Sequence, residues 1–236
     1  MKVIQCKNLI KFYGSKKVLD NISLSVEQGD FFGLVGMNGS GKSTMIKAML
    51  DLVSIDGGEI ELFGESHRQV SSRKDIAYLP DRFSPPPHLK GKDFVRYMIE
   101  LQGHSFDEER INSVFDALEL DKATIQASVS SLSKGMTQKL GLAACLLSDK
   151  KLLMLDEPMS GLDPKARVLF KKELQNKKQK GLSVFFSSHV LADVDEMADN
   201  IAVLHAGRFM YVGSANGLKE KYKTNVLEDA YMQCIS

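Results

Sequence analysis

The chain has 236 residues, with 31 Lys and Arg against 30 Asp and Glu and a hydrophobic fraction of 43%. That is the profile of a folded protein of one large or two small domains, and it excludes a disordered or fibrous chain. A formal net charge of +1 gives no global electrostatic pull towards nucleic acid or an anionic membrane surface.

Cys6, Cys145 and Cys234 are odd in number and far apart, which argues against a disulfide framework or a zinc site and for reduced thiols in a cytoplasmic protein. The N-terminus has no apolar run of signal-peptide length. The longest apolar stretch, 140–147, is far short of the roughly 20 residues of a membrane helix. The expectation is a chain that does not span a membrane and reaches one only through a partner.

In chain order, polar and apolar residues alternate over 23–26, and the apolar run 31–35 predicts a buried strand. That strand ends in Gly36-Met37-Asn38-Gly39-Ser40-Gly41-Lys42-Ser43-Thr44, a complete GxxxxGK[ST]. The pattern at 45–50 then predicts a helix. The glycines let successive backbone N–H groups turn inward around phosphate oxygens, and the helix N-terminus adds partial positive charge. Lys42 reaches the β- and γ-phosphates, and the Ser43 hydroxyl ligates Mg²⁺. The segment predicts a nucleoside triphosphate site.

Two further short strands are expected at 59–63 and 76–79. Pro85-Pro86-Pro87 then breaks regular structure. Phe94, Tyr97, Met98 and Leu101, and then Ile111, Val114, Phe115 and Leu118, fall at helical spacing. Ser105 and Glu108 read as a capping box before the second of these helices. Residues 87–147 are therefore expected to form a helical insert in a single α/β domain, with a catalytic core of 1–86 and 148–236.

Strand texture returns at 152–155, 184–186 and 201–204, in apolar runs that suit central parallel strands. The first ends in Asp156-Glu157. A carboxylate at the carboxyl end of a buried strand lies where open α/β sheets bind ligands. Asp156 is assigned to Mg²⁺, and Glu157 to the attacking water. Residues 208–212 form a hairpin with 201–205, and short helical segments close the chain at 218–222 and 227–232. The basic run Lys165, Arg167, Lys171, Lys172, Lys177, Lys178, Lys180 lacks interleaved aromatics and reads as a solvated helix face, not a nucleic-acid patch.

Leu132-Ser133-Lys134-Gly135-Met136 precedes the two acids by about 20 residues. Ser160-Gly161-Leu162-Asp163 follows them, and His189 ends the next strand. With these segments in this order, the chain resembles the nucleotide-binding domain of ATP-binding-cassette (ABC) transporters over essentially its whole length. The resemblance implies a P-loop NTPase fold: a mostly parallel sheet core, an antiparallel β subdomain and an inserted α-helical subdomain. It implies that Tyr13 stacks on adenine and that Asp81 occupies the Q-loop position. Ser133 and Gly135 match the signature motif, Asp163 the D-loop and His189 the histidine switch. Two positions depart from the pattern. The Q-loop position usually holds Gln or sometimes Glu, and Asp81 is one methylene shorter; the signature reads LSKGM, so Met136 replaces a hydrogen-bonding Gln.

The implied activity is ATP hydrolysis with Mg²⁺ in a head-to-tail homodimer. The resemblance further implies a peripheral location on the inner face of the membrane, through separate transmembrane permease subunits, and an exporter-type, ABC-2-like system. A soluble ABC ATPase of the iron–sulfur assembly type is the alternative.

Overall fold

In the computed structural model, every residue is described except His104 and Phe106, and Lys122 through its backbone alone. The first layer is an antiparallel sheet of order β2-β1-β4-β5, built from β1 (Lys2–Tyr13), β2 (Lys16–Glu27), β4 (Gly57–Leu62) and β5 (Glu65–Ser66). Along β1 and β2 one face alternates into the core and the other faces solvent, as expected of a sheet covered on one side.

Between these strands the chain enters the second sheet through β3 (Phe31–Val35) and α1 (Lys42–Met49). That sheet has the order β10-β9-β3-β8-β7-β6. Its other members are β6 (Ile76–Leu79), β7 (Leu152–Asp156), β8 (Ser183–Ser188), β9 (Asn200–His205) and β10 (Arg208–Gly213). The contacts among β6, β7, β8, β3 and β9 are parallel, and only the edge strand β10 is antiparallel.

The strands β3, β7 and β8 are buried at every position, because both faces are covered. Their alternate residues divide between two cores. Phe32, Met154 and Phe185 pack with α1 and the inner face of the antiparallel sheet, and the rings of Phe32 and Phe185 stack at 5.7 Å. Phe31, Leu153, Leu155 and Phe186 pack on the opposite face against the remaining helices.

Four helices lie between β6 and β7: α2 (Gly91–Leu101), α3 (Glu108–Ala117), α4 (Lys122–Gln126) and α5 (Lys134–Leu146). The predicted helical positions Phe94, Ile111, Val114, Phe115 and Leu118 are buried, whereas Tyr97 and Leu101 face solvent. The expected Ser105–Glu108 capping box does not form. Asp107 caps α3 by accepting from the Arg110 N–H at 3.1 Å, and Glu108 instead pairs with Lys92. A carboxylate nearer the helix start takes the free N–H, so the hydroxyl two residues earlier is left outside.

After β7 come α6 (Pro164–Lys178), α7 (Leu191–Met197), α8 (Ala215–Lys221) and α9 (Leu227–Ile235). The three cysteines are free and buried, and burial pushes the thiols of Cys6 and Cys145 up to about 12. Among the described residues no helix is long and apolar enough to cross a membrane.

Candidate active site

The glycine-rich segment forms the turn between β3 and α1. Gly39 and Gly41 sit at φ of 81° and 115°, a region side chains disfavour, and these bends keep the loop backbone folded around its centre. No side chain caps α1 and its first turn holds no acid, so its leading N–H groups remain free for an anion. Lys42 is 6% exposed and buried under the loop, where its ammonium donates to Gly36 O at 2.7 Å and Met37 O at 3.3 Å. An ammonium held there by neutral carbonyls is poised to exchange them for phosphate oxygens.

The two acids lie one strand away. Asp156 ends β7 at 1% exposure and accepts a 2.6 Å hydrogen bond from the Ser187 hydroxyl of β8. The same hydroxyl accepts from the Glu157 N–H at 2.9 Å, so one side chain fixes both acids. Glu157 has left the strand at φ 52°, an uncommon conformation for a residue with a side chain. That turn aims its carboxylate back across β8. One oxygen lies 3.3 Å from Lys42 Nζ, in ion-pair range but without a hydrogen bond, and the other lies 2.8 Å from His189 Nδ1. With Glu157 ionised, that ring nitrogen carries the proton.

Tyr13, Asn38, Gly39, Gly41, Lys42, Ser43, Thr44, Asp81 and Glu157 line one cleft of about 210 Å³. The structure thus brings together Tyr13 at the end of β1, the glycine-rich loop, Asp81 and Glu157. Tyr13 is 49% exposed, as a stacking platform requires.

These residues fit a magnesium nucleotide. The cleft offers a backbone N–H cradle and a buried ammonium for phosphate. Ser43, Asp156 and Asp81 supply the hydroxyl and carboxylate oxygens that suit Mg²⁺. Among the described residues no three His, Cys, Asp or Glu side chains converge as a metal cluster. Mg²⁺ ordinarily keeps several waters and phosphate oxygens and does not require one.

Ser133 and Gly135 do not line that cleft. Ser133 is exposed and caps α5, accepting from the Met136 N–H at 3.2 Å. Gly135 presses on the segment after Glu157, where a Cβ would fall 2.6 Å from Gly161 O. Asp163 caps α6 through the Ala166 N–H, which holds its carboxyl below the usual value.

Sequence reasoning missed Ser187, whose only signal is a pair of serines closing an apolar strand. It also missed the support under Tyr13. Buried Lys11 places its ammonium 5.3 Å from that ring, and Asp56 holds both Lys11 and the Phe12 N–H. Tyr78 was read only as a strand residue. Its buried hydroxyl is pushed up to about 12 by burial and by the charges of Asp156 and Asp81.

Residues 19–160 match the family described as ABC transporter. An ABC transporter ATP-binding protein from Synechocystis is 35% identical over 86% of the chain, which spans 59% of that relative's length. The lantibiotic transport ATP-binding protein SrtF of Streptococcus pyogenes is 32% identical, with 95% of this chain and 98% of that one covered. A solved ATP-binding subunit of an ABC transporter superposes with a TM-score of 0.89 at 25% identity, covering 98% and 99% of the two chains.

Proposed function

This chain belongs to the ABC transporter ATP-binding family, and from that premise we propose that it binds and hydrolyses Mg–ATP to power export through separate transmembrane permease subunits. The observation that carries the reading is the convergence of Lys42, Glu157 and His189 at the end of the sheet, beside the cleft that Tyr13 and Asp81 complete.

Tyr13 stacks on adenine, and the N–H groups of residues 39–44 hold the phosphates. Lys42 leaves the carbonyls of Gly36 and Met37 for the β- and γ-phosphates. Ser43, Asp156 and Asp81 would hold Mg²⁺, which would supply charge neutralisation at the phosphates. Release of Lys42 from Glu157 frees that carboxylate to orient and deprotonate the attacking water, while His189 keeps it in place.

The γ-phosphate needs charge stabilisation from its far side, and nothing in the cleft of one chain supplies it from the signature. Ser133 is exposed at the N-terminus of α5, and Gly135 is half-buried against Gly161, both outside that cleft. A second copy, docked head to tail, brings its Ser133 hydroxyl and Gly135 N–H to that side.

Asp81 also lines a groove of about 510 Å³ with Phe83, Thr137 and Gln138. It therefore borders both the nucleotide cleft and the surface where a permease would sense it, on the inner face of the membrane. The similarity to SrtF, a lantibiotic transport ATP-binding protein of nearly equal length, supports the export reading.

Phosphate release tests the assignment. Glu157→Gln keeps nucleotide affinity and lowers the hydrolysis rate by about 100-fold or more, the usual contribution of a general base. An unchanged rate would remove Glu157 from the chemistry.

A further inference from the structure

The basic run of α6 is not uniform. Lys165, Lys171 and Lys178 pair with Glu119, Asp193 and Asp199 respectively, so those lysines have structural partners. Lys177 and Lys180 lie instead beside Lys150 and Lys151, which precede β7. The four lysines line a cavity of about 210 Å³ together with Asp149 and the apolar Leu146, Leu153 and Leu182. It lies at the end of the sheet opposite the nucleotide cleft.

We propose that this cavity binds a small organic anion, a phosphate monoester with a short apolar substituent. Two of the nearby charges are already spoken for. Lys151 pairs with Asp75 at 2.8 Å, and Asp149 is engaged by Arg110 through two hydrogen bonds of 2.6 and 2.5 Å. Among the described residues no carboxylate lies within ion-pair distance of Lys150, Lys177 or Lys180. Lys150, Lys177 and Lys180 thus give the cavity an excess of positive charge beside apolar side chains, which Asp149 offsets only in part and an anion would complement.

Lys177 shows that excess most directly. Burial holds its ammonium below the usual value. Arg110 and Lys180 push the same way, and Glu173 and Asp149 push back without overcoming them. A phosphate dianion would meet the three ammonium groups in charge-assisted hydrogen bonds, and the leucines would take the substituent. At roughly 30 Å³ per water the cavity has room for about seven, which sets the ligand at a comparable number of non-hydrogen atoms.

Ethyl phosphate matches that size and is the probe. It is titrated by calorimetry into the full chain, with the nucleotide cleft filled by a non-hydrolysable Mg–ATP analogue so that the phosphate loop does not report. The expected result is saturable binding with one site per chain in the millimolar range. Lys177→Gln with Lys180→Gln should weaken it by about tenfold or more, equivalent to about 1.4 kcal/mol. The charge-matched pair Lys165→Gln with Lys172→Gln, on α6 but outside the cavity lining, should change it less than about twofold.

On the unaltered chain, ethyl phosphate should slow acetylation of Lys177 several-fold while leaving Lys172 unaffected. Absence of saturable binding, an equal loss in the control pair, or unprotected Lys177 would each overturn the proposal.

Discussion

Ser187 shows how much of this site rests on a single small side chain. Its hydroxyl donates to Asp156 and accepts from the Glu157 N–H, so removing it leaves two polar groups unpartnered under a buried strand end. Ser187→Ala is expected to cost about 1–3 kcal/mol in a urea unfolding series. It should also slow phosphate release, because Glu157 holds its φ of 52° only while its N–H is anchored. Full activity in the variant would mean that Glu157 is oriented by Lys42 and His189 alone. Neither Ser187 nor the Lys11–Asp56 pair under Tyr13 was legible in the sequence. Each acts through a partner 30 or more positions away, at distances only the fold reveals. Lys42, Ser43 and Asp156 were legible because their chemistry is written in contiguous segments with fixed spacing.

At the scale of elements, two helix starts carry testable consequences. Asp163 caps α6, and its carboxyl sits below the ordinary value of 3.8, chiefly because the Ala166 N–H favours the ionised form. A depressed carboxylate stabilises the fold above its unfolded value, and that contribution is lost as pH falls through the folded one. The stability gap between the native chain and Asp163→Asn, read as urea midpoints, should therefore be present at pH 6 and shrink steadily below about pH 4. A gap that stays constant to pH 3 would show that the charge contributes nothing.

Gly135 is the second case. Its missing Cβ lets the start of α5 lie against Gly161 O, and an added methyl would approach that oxygen to 2.6 Å. Backbone cannot yield as a flexible side chain does, so Gly135→Ala is expected to push the signature segment off the residues that follow Glu157. Hydrolysis should fall by about tenfold or more, with ATP affinity within about twofold, because a displacement near 1 Å is costly in catalysis and the nucleotide cleft itself is untouched. Equal losses of affinity and rate would contradict that separation. Elements were read well where the apolar run is continuous, as in β3, β7 and β8. The cap of α3 was misplaced because Ser105 and Asp107 are both good capping residues and only the backbone path decides between them.

On the scale of the whole molecule, a near-neutral chain with no membrane-crossing helix among its described residues is consistent with an engine that works through partners. The sheet places Lys42, Asp156, Glu157 and His189 at one end, while Ser133 and Gly135 lie outside the lining of their own cleft. The central claim is that a complete site needs two chains. Sequence order alone names the signature segment, and its position outside its own cleft supports the proposal that it serves a neighbouring copy.

The direct test is the mass of Glu157→Gln in solution with saturating Mg–ATP, measured by light scattering. Blocked hydrolysis should trap the closed pair at twice the 26.2 kDa of one chain, and Ser133→Arg in the same background should return it to the monomer. A mass of 26.2 kDa for Glu157→Gln with ATP bound would contradict the two-chain site.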